Sequence, residues 1–212
     1  MAMGCHAFIL DYSVAPNHFP TSVRELGEAV AYIREHAAEW KVDPAKIIVC
    51  GSSAAGHLAC SLGVFWDNEL VYDAIGRTPA QIRPDGLILC YPVITGGEYA
   101  HVNSFKRLLG DDVTQEQRDA VSLENFVTEQ TPRAFIWHTY TDENVPVENS
   151  LLLAAAMKRK NVNFELHIYP TGGHGLSLAD EETAGNGFQV VEQCQSWIPL
   201  VKMWLKHFEA SC

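Results

Sequence analysis

The stretch that decides the fold reads KIIVCGSSAAGHLACSLGVF and spans residues 46–65. Its first six residues are short and mostly apolar, which is typical of a strand buried on both faces of a parallel sheet. Residues 54–65 are predicted to form a helix. A strand, a sharp turn and a helix can lift a nucleophilic serine clear of a sheet. The stretch therefore contains either a catalytic elbow or an ordinary turn with two serines.

The serine motif does not by itself separate these two interpretations. A Gly-x-Ser-x-Gly signature would place the nucleophile at Ser53, but its fifth position is Ala55, and glycine returns only at Gly56. Alanine adds one methyl group, which a tight turn can tolerate at the expense of some strain. Ser52 is the rival nucleophile, although it lies one residue before the apex of the turn. Such a short motif is weak evidence on its own.

Apolar runs elsewhere in the chain predict the remaining strands. They span residues 6–12, 85–93, 133–140 and 164–170, which with 46–51 gives five parallel strands. Amphipathic helical segments alternate with these runs. This alternation predicts an α/β fold in which a mostly parallel sheet is flanked by helices. We expect residues 1–212 to form a single domain, with a short helical insertion at 97–131.

Three helices are predicted in addition to 54–65. Ser22 and Glu25 have the spacing of a capping box, ahead of an apolar stripe formed by Val23, Leu26, Val30, Ile33, Ala37 and Trp40. A second helix is expected from Glu148 to Arg159. A last helix is expected to start near Ser196, with Pro199 in its first turn, and to bury Val201, Trp204, Leu205 and Phe208.

Composition and charge exclude several classes of function. Apolar residues make up 47% of the chain and charged residues 19%, which is typical of a globular protein. The formal charge of −11 argues against a nucleic-acid partner. No apolar stretch is long enough to span a membrane, and the first residues do not resemble a signal peptide. We therefore expect a cytoplasmic protein without a membrane or nucleic-acid partner.

The cysteines indicate neither a disulfide framework nor a metal site. Six are present, at positions 5, 50, 60, 90, 194 and 212, without C-x-x-C spacing. Cys50 and Cys90 end apolar runs, where cysteine usually acts as a small buried hydrophobic residue. We expect free thiols, no metal and no cofactor.

Two further residues favour the catalytic interpretation of Ser53. Asp142 directly follows the predicted strand 133–140, and His174 follows the strand 164–170 within a glycine-rich segment. The carboxyl ends of parallel strands meet at one edge of a sheet. A serine needs an imidazole to accept its proton, and the imidazole needs a carboxylate to fix its tautomer. Together the three residues predict a Ser-His-Asp triad, with the Ala54 amide as an oxyanion donor.

Three residues near the predicted strand ends are candidates for lining a pocket. They are Tyr12, His57 and Tyr91. His57 falls on the helix face beside Ser53, where the favoured interpretation is a packed helix histidine. Aromatic residues near strand ends more often belong to the core. His138 and His167, inside predicted strands, are interpreted as core or sheet-face residues.

Several segments resemble α/β-hydrolase esterases of the hormone-sensitive-lipase type. They are LDYSVAPNHFP (10–20), GSSAAGHLA (51–59) and YPVI (91–94). The segment 122–157 is most similar to bacterial acetyl esterases and acetylxylan-esterase-like members. The resemblance implies an α/β-hydrolase fold with Ser53 as nucleophile, Asp142 as orienting acid and His174 as general base.

The chain departs from this family in one respect besides Ala55. The family has strands before the DY segment, and a H-G-G or G-G-G loop there supplies a second oxyanion donor. Neither loop motif occurs in the chain. We therefore expect the fold to lack its first N-terminal strands. A truncated product, a misassigned start and a degenerate enzyme remain open explanations.

The expected function is hydrolysis of short-chain carboxylic esters, with a small-molecule or oligosaccharide O-acetyl ester as substrate. Two alternatives remain open. A peptidase or thioesterase would use the same triad, because the bond cleaved is not written in the triad. A non-catalytic binding module would follow from loss of the oxyanion loop. An incomplete sheet would also leave an unpaired edge, which favours a homodimer.

Overall fold

A computed structural model describes residues 4–185 and 190–206 of the chain. Within these ranges the sheet has four strands, β1 (Ile48–Ser52), β2 (Gly86–Cys90), β3 (Ala134–Thr139) and β4 (Phe164–Tyr169). They lie side by side in chain order, and every neighbouring pair is parallel. The predicted parallel α/β architecture is therefore confirmed.

Helices connect and cover these strands. They are α1 (Thr21–Glu35), α2 (Ala37–Trp40), α3 (Ala54–Phe65), α4 (Glu69–Tyr72), α5 (Pro79–Ile82), α6 (Val102–Leu109), α7 (Gln115–Asp119), α8 (Glu148–Arg159) and α9 (Trp197–Lys206), with short 3-10 turns at Asp73–Ile75, Leu123–Asn125 and Glu192–Ser196. The predicted bounds of α3 and α8 are confirmed. The helical content expected in the 97–131 segment is also present, as α6, α7 and one 3-10 turn.

The sheet has a hydrophobic core on each face. One core packs α1, α3 and α8 against side chains that include Leu89 and Ile136. The other packs α9 against side chains that include Phe135 and Trp137. Burial of each such side chain contributes roughly 1.5–3 kcal/mol to folding. Because both faces are covered, the central strands β2 and β3 are uniformly buried, which explains their uninterrupted apolar sequences.

Strand β1 lies at an edge of the sheet, and its burial alternates. Val49 and Gly51 are buried, whereas Cys50 and Ser52 are exposed. The expectation that Cys50 is buried is therefore wrong, while Cys90 on the central strand β2 is buried as expected. Cys50, Cys60, Cys90 and Cys194 are free thiols. Cys212 lies outside the described ranges.

The prediction of a strand at residues 6–12 is wrong. These residues pair with no strand within the described chain, and Ile9 is 99% exposed. Side chains hold the segment in place: the Phe8 ring lies 5.2 Å from the Trp40 ring, and Leu10 packs against the core. An apolar run becomes a strand only where another strand offers it hydrogen bonds.

The predicted capping box is also wrong. Helix α1 starts at Thr21, and its N-terminus has no side-chain cap. The Glu25 carboxylate instead accepts hydrogen bonds from the Ser13 amide at 2.7 Å and the Ser13 hydroxyl at 2.5 Å. The amide and the hydroxyl of Ser13 both donate to the Glu25 carboxylate. This long-range contact therefore takes the place of the predicted capping box.

The C-terminal helix begins where it was expected. A 3-10 turn precedes α9, and Pro199 lies in the first turn of the helix, where it lacks no required amide. Val201 and Trp204 are buried and Leu205 is partly buried. The predicted burial of Phe208 falls outside the described residues. In the described ranges, every helix is too short or too polar to cross a lipid bilayer.

Candidate active site

Ser53 lies at the apex of the turn between β1 and α3. Its backbone has φ 56° and ψ −119°, a left-handed conformation that non-glycine residues seldom adopt. Such a conformation costs on the order of 1–3 kcal/mol and is found mainly at functional sites. The Ser53 amide donates to the Cys90 carbonyl at 2.9 Å, and the Ser53 carbonyl accepts from Val93 at 3.1 Å. The strained turn is thereby fastened to the end of β2.

Two glycines allow the turn to close, and neither lies at position 55. A Cβ on Gly51 would stand 2.0 Å from the Ala55 carbonyl oxygen, and a Cβ on Gly56 would stand 2.8 Å from the Cβ of Pro92. Ala55 itself is a half-exposed residue of α3 without a positive φ. The strict requirement for glycine therefore falls on Gly51 and Gly56, and alanine at position 55 leaves the elbow intact.

The three predicted catalytic side chains form one continuous hydrogen-bonded chain. The Ser53 Oγ lies 2.6 Å from the His174 Nε2, and the His174 Nδ1 lies 2.6 Å from the Asp142 Oδ2. Both distances are short for hydrogen bonds of these types. The rival Ser52 is instead the last residue of β1, in register with Cys90.

Asp142 is buried, and its carboxylate is well satisfied. The Asn144 and Val145 amides both donate to its Oδ1 at 3.0 Å, while the His138 Nε2 lies 3.3 Å from its Oδ2. Burial by itself would raise the pKa of Asp142. Hydrogen bonds from His138, His174 and the Val145 amide outweigh that effect, so the pKa lies well below its ordinary value. The acid is therefore charged at neutral pH.

His138 is a core residue, as the sequence predicted, and its side chain also contacts Asp142. The residue is fully buried in β3. Its Nε2 donates to the Val145 carbonyl at 2.9 Å while lying near Asp142, and its Nδ1 lies 2.8 Å from the Ser150 hydroxyl. A histidine four residues before the acid was the available signal, but only the folded loop brings the two side chains together.

The loop that carries His174 is tied to the loop that carries Asp142. The Gly172 carbonyl accepts from the Thr139 and Thr141 hydroxyls, each at 3.0 Å, and the Gly172 amide donates to Thr141 at 2.9 Å. Gly172 has φ 147°, and a Cβ there would come within 2.8 Å of Thr139. These bonds fix the distance between acid and base, and sequence reasoning did not find either threonine.

Tyr91, a candidate for lining a pocket, lies against the base. Its ring is 5.2 Å from the His174 ring in an edge-to-face arrangement, and its hydroxyl accepts from the Ser177 amide at 3.0 Å. Burial raises the pKa of Tyr91. The tyrosine thus holds one side of the imidazole and the loop that follows it.

Tyr12 and His57, the two other pocket candidates, border a small cleft beside the Ala54 amide. The cleft has a volume of about 120 Å³. His57 is buried, with its Nε2 3.0 Å from the Val121 carbonyl and its Nδ1 3.2 Å from the Ser61 hydroxyl. Burial lowers the pKa of His57 to about 4, so the ring is neutral and packs the helix. Ala54 is the first residue of α3, and its amide has no acceptor within the helix.

The residues of the site match the needs of acyl transfer. A hydroxyl is hydrogen-bonded to an imidazole, the imidazole is oriented by a buried carboxylate, and an amide without a helical acceptor follows the hydroxyl-bearing residue. Across the described ranges, no group of three or more His, Cys, Asp or Glu residues is arranged to hold a metal ion.

Comparison with protein families and curated proteins places these features among known hydrolases. A family model described as BD-FAE matches residues 3–157. The endo-1,4-beta-xylanase B of Butyrivibrio fibrisolvens is 39% identical over 188 residues, which are 84% of this chain and 29% of that protein. The acetylxylan esterase of Xylanibacter ruminicola is 28% identical over 180 residues, 82% of this chain and 35% of that protein. The chain thus spans about a third of each of these relatives.

Solved structures of similar chains have the same fold. An acetyl ester-xyloside bifunctional hydrolase from Caldicellulosiruptor lactoaceticus superposes with a TM-score of 0.78 at 38% identity, covering 94% of this chain and 73% of that one. A carboxylesterase from Lactobacillus plantarum superposes with a TM-score of 0.84 at 29% identity, covering 98% of this chain and 76% of that one. The predicted α/β-hydrolase fold is confirmed.

Proposed function

The chain belongs to the BD-FAE family, and on that premise we propose that it is a serine hydrolase of short-chain carboxylic esters. Its substrates would be O-acetyl esters of sugars or small alcohols. The observation that carries the proposal is the hydrogen-bonded chain from Ser53 through His174 to Asp142, with 2.6 Å at each step. The names of the acetylxylan esterase and carboxylesterase relatives support the same chemistry.

The reaction would follow the serine-triad sequence. The Ser53 Oγ attacks the acyl carbonyl carbon as its proton passes to the His174 Nε2, and the Ala54 amide donates to the oxygen that becomes negative. The ester bond then breaks, and the His174 proton passes to the leaving alkoxide. A water molecule, deprotonated by His174, hydrolyses the acyl-enzyme and releases the carboxylic acid. Asp142 stays charged throughout, and these reaction steps use no metal or organic cofactor.

The size of the cleft beside Ala54 favours substrates with a small acyl group. It is lined partly by the apolar side chains of Leu58, Val93 and Leu108, and its volume is about 120 Å³. A pocket for a ligand of drug size is several times larger. An acetyl methyl group can be buried in a cleft of this size, whereas a long acyl chain would have to extend out of it.

The test of this function is hydrolysis of p-nitrophenyl acetate by the chain and by two matched serine variants. Ser53→Ala should lower kcat by about five to six orders of magnitude, because serine hydrolases lose about that much with their nucleophile. Ser52→Ala, one residue away, should retain kcat within about tenfold. Turnover that survives in Ser53→Ala would refute the mechanism.

Substrate scope separates this proposal from the alternatives. We expect acetate esters to exceed acyl-CoA thioesters and aminoacyl p-nitroanilides in kcat/KM. A thioester or anilide preferred over acetate esters would instead identify a thioesterase or a peptidase. If none of the three classes is turned over, the chain would be a binding module.

Location and assembly are also proposals. We propose a cytoplasmic location, which the free thiols of Cys50, Cys60, Cys90 and Cys194 support. The negative net charge supports the absence of a nucleic-acid partner.

We propose a homodimer because the outer edge of β1 pairs with no strand in the described ranges. Light scattering after size-exclusion chromatography should give twice the chain mass of 23.5 kDa, and a monomer mass would contradict the dimer.

A further inference from the structure

One histidine near the triad has no role in the proposed reaction. His101 immediately precedes α6 and is half-buried. Its Nδ1 lies 2.8 Å from the Ser104 hydroxyl, which orients the ring. Its Nε2 has no hydrogen-bond partner within the described residues. An oriented imidazole with one unused nitrogen is able to bind a ligand.

The packing of α6 places this ring beside the acid loop. His101 is the N-cap residue of α6, and its chain neighbour Ala100 packs against the hydrophobic cluster that contains Phe105. Phe105 is fully buried and belongs to a cluster with Val93 and Val145. Val145 is the residue whose amide binds the Asp142 carboxylate. The residue next to His101 in the chain therefore packs beside the acid loop.

A buried asparagine fixes the segment that leads to His101. Asn149 is fully buried in α8, just after the acid loop. Its Oδ1 accepts from the Ile94 and Thr95 amides at 2.9 and 3.0 Å, and its Nδ2 donates to the Tyr99 carbonyl at 2.9 Å. The segment between β2 and α6 is thus held against the start of α8, so the position of His101 relative to Asp142 is preorganised.

Electrostatics agree with a position near the triad. Burial lowers the pKa of His101, an electrostatic interaction with His174 lowers it further, and one with Asp142 raises it. His174 and Asp142 are therefore close enough to affect the His101 ring. At neutral pH the imidazole is neutral, and its Nε2 donates or accepts a hydrogen bond depending on the tautomer.

This position corresponds to the alcohol side of the ester. The acyl oxygen would face the Ala54 amide, and the leaving oxygen must approach His174, which returns the proton to it. A ring near His174 would therefore meet the leaving alcohol. We propose that His101 binds a hydroxyl group of that alcohol adjacent to the scissile ester, and so selects partly acetylated polyols and sugars over esters of simple alcohols. The inference rests on the proposed esterase function.

Two acetates that differ by one hydroxyl test this role. They are trans-2-hydroxycyclohexyl acetate and cyclohexyl acetate. The wild-type chain should hydrolyse the hydroxylated ester with a kcat/KM at least about tenfold higher, because a site built for a hydroxyl discriminates against an analogue without one. His101→Leu should reduce this ratio to within about twofold of unity. His101→Gln, which keeps a donor and an acceptor, should retain part of it.

Controls separate a specificity role from a structural one. Asn103→Ala, on the exposed side of α6, should keep the wild-type ratio. If His101→Leu does not fold by circular dichroism, Ser104→Ala should show an intermediate ratio, because it frees the ring without removing it. A wild-type ratio near unity, or an unchanged ratio in His101→Leu, would overturn the assignment while esterase function stands. Absence of turnover on all acetates, including p-nitrophenyl acetate, would mean that the proposed function has failed, and the inference with it.

Discussion

The two sides of Ser53 differ in how they are held together. On one side, the loops after β3 and β4 are joined by hydrogen bonds among Thr139, Thr141 and Gly172, and they carry Asp142 and His174. On the other side, residues 6–12 run beside the core and have no strand partner in the described part of the chain. Strands β3 and β4 and a strand at residues 6–12 were all predicted from short apolar runs followed by polar residues. The comparison shows that an apolar run becomes a strand only where a neighbouring strand completes its hydrogen bonds.

The largest expected effect lies on the triad side. Asp142→Asn keeps the shape of the acid and its contacts with the Asn144 and Val145 amides, but it removes the charge that fixes the His174 tautomer. We expect kcat for p-nitrophenyl acetate to fall by about 10⁴-fold, as in other serine triads, with an unchanged circular dichroism spectrum. A variant that keeps more than about a tenth of wild-type kcat would show that the charge of Asp142 is not needed for catalysis.

A matched pair of isoleucine variants compares the two sides by stability. Ile136→Ala, in the fully buried strand β3, should lower the free energy of unfolding by about 2–5 kcal/mol. Ile9→Ala, at a side chain that is 99% exposed, should change it by no more than about 0.5 kcal/mol. Urea titration measures both. A loss above about 1 kcal/mol for Ile9→Ala would mean that residues 6–12 pack as a strand in solution.

A smaller effect is expected at His138, whose Nε2 lies 3.3 Å from the Asp142 carboxylate. His138→Leu removes the donor near the Asp142 carboxylate and should lower kcat by about 10- to 100-fold, the range for a hydrogen bond to a charged group. KM should stay within about threefold. His138→Gln, which can place an amide near the former Nε2, should recover part of the loss. Equal activity in both variants would indicate a packing role alone.

His57 should make the cleft side of the elbow sensitive to acid. Burial lowers its pKa to about 4 in the folded state, against about 6.5 in the unfolded chain. As the pH falls below 6.5, the unfolded state takes up a proton first, so the free energy of unfolding decreases. The contribution lost between pH 7 and pH 5 is about 2 kcal/mol.

Urea titrations at the two pH values measure this linkage. His57→Gln, which does not titrate, should show a correspondingly smaller decrease between pH 7 and pH 5 than the wild-type chain. An equal decrease in both would mean that other groups cause the acid sensitivity.

Local patterns were sufficient for much of the fold and for the proposed triad. The bounds of α3 and α8 follow from apolar spacing, and four strands follow from short apolar runs. Ser53, Asp142 and His174 were identified because each follows a predicted strand, and parallel strands end at one edge. These inferences need only the neighbouring sequence and one rule about sheets.

The remaining features depend on contacts between distant residues. Glu25 binds Ser13 instead of capping its own helix, and His138 reaches Asp142 only through the turn of the acid loop. Cys50 is exposed because β1 lies at the edge of the sheet, a property of strand order that its own sequence does not encode. Residues 6–12 have the composition of a strand but find no strand partner among residues 4–185 and 190–206.

The central claim is that Ser53 is the activated nucleophile. A fluorophosphonate probe reacts with a serine hydroxyl whose proton is accepted by a neighbouring base, and tandem mass spectrometry can locate the adduct in the peptide that contains both Ser52 and Ser53. We predict a single adduct on Ser53 in the wild-type chain and a loss of labelling in His174→Ala. An adduct on Ser52, or labelling of His174→Ala at the wild-type rate, would contradict the claim.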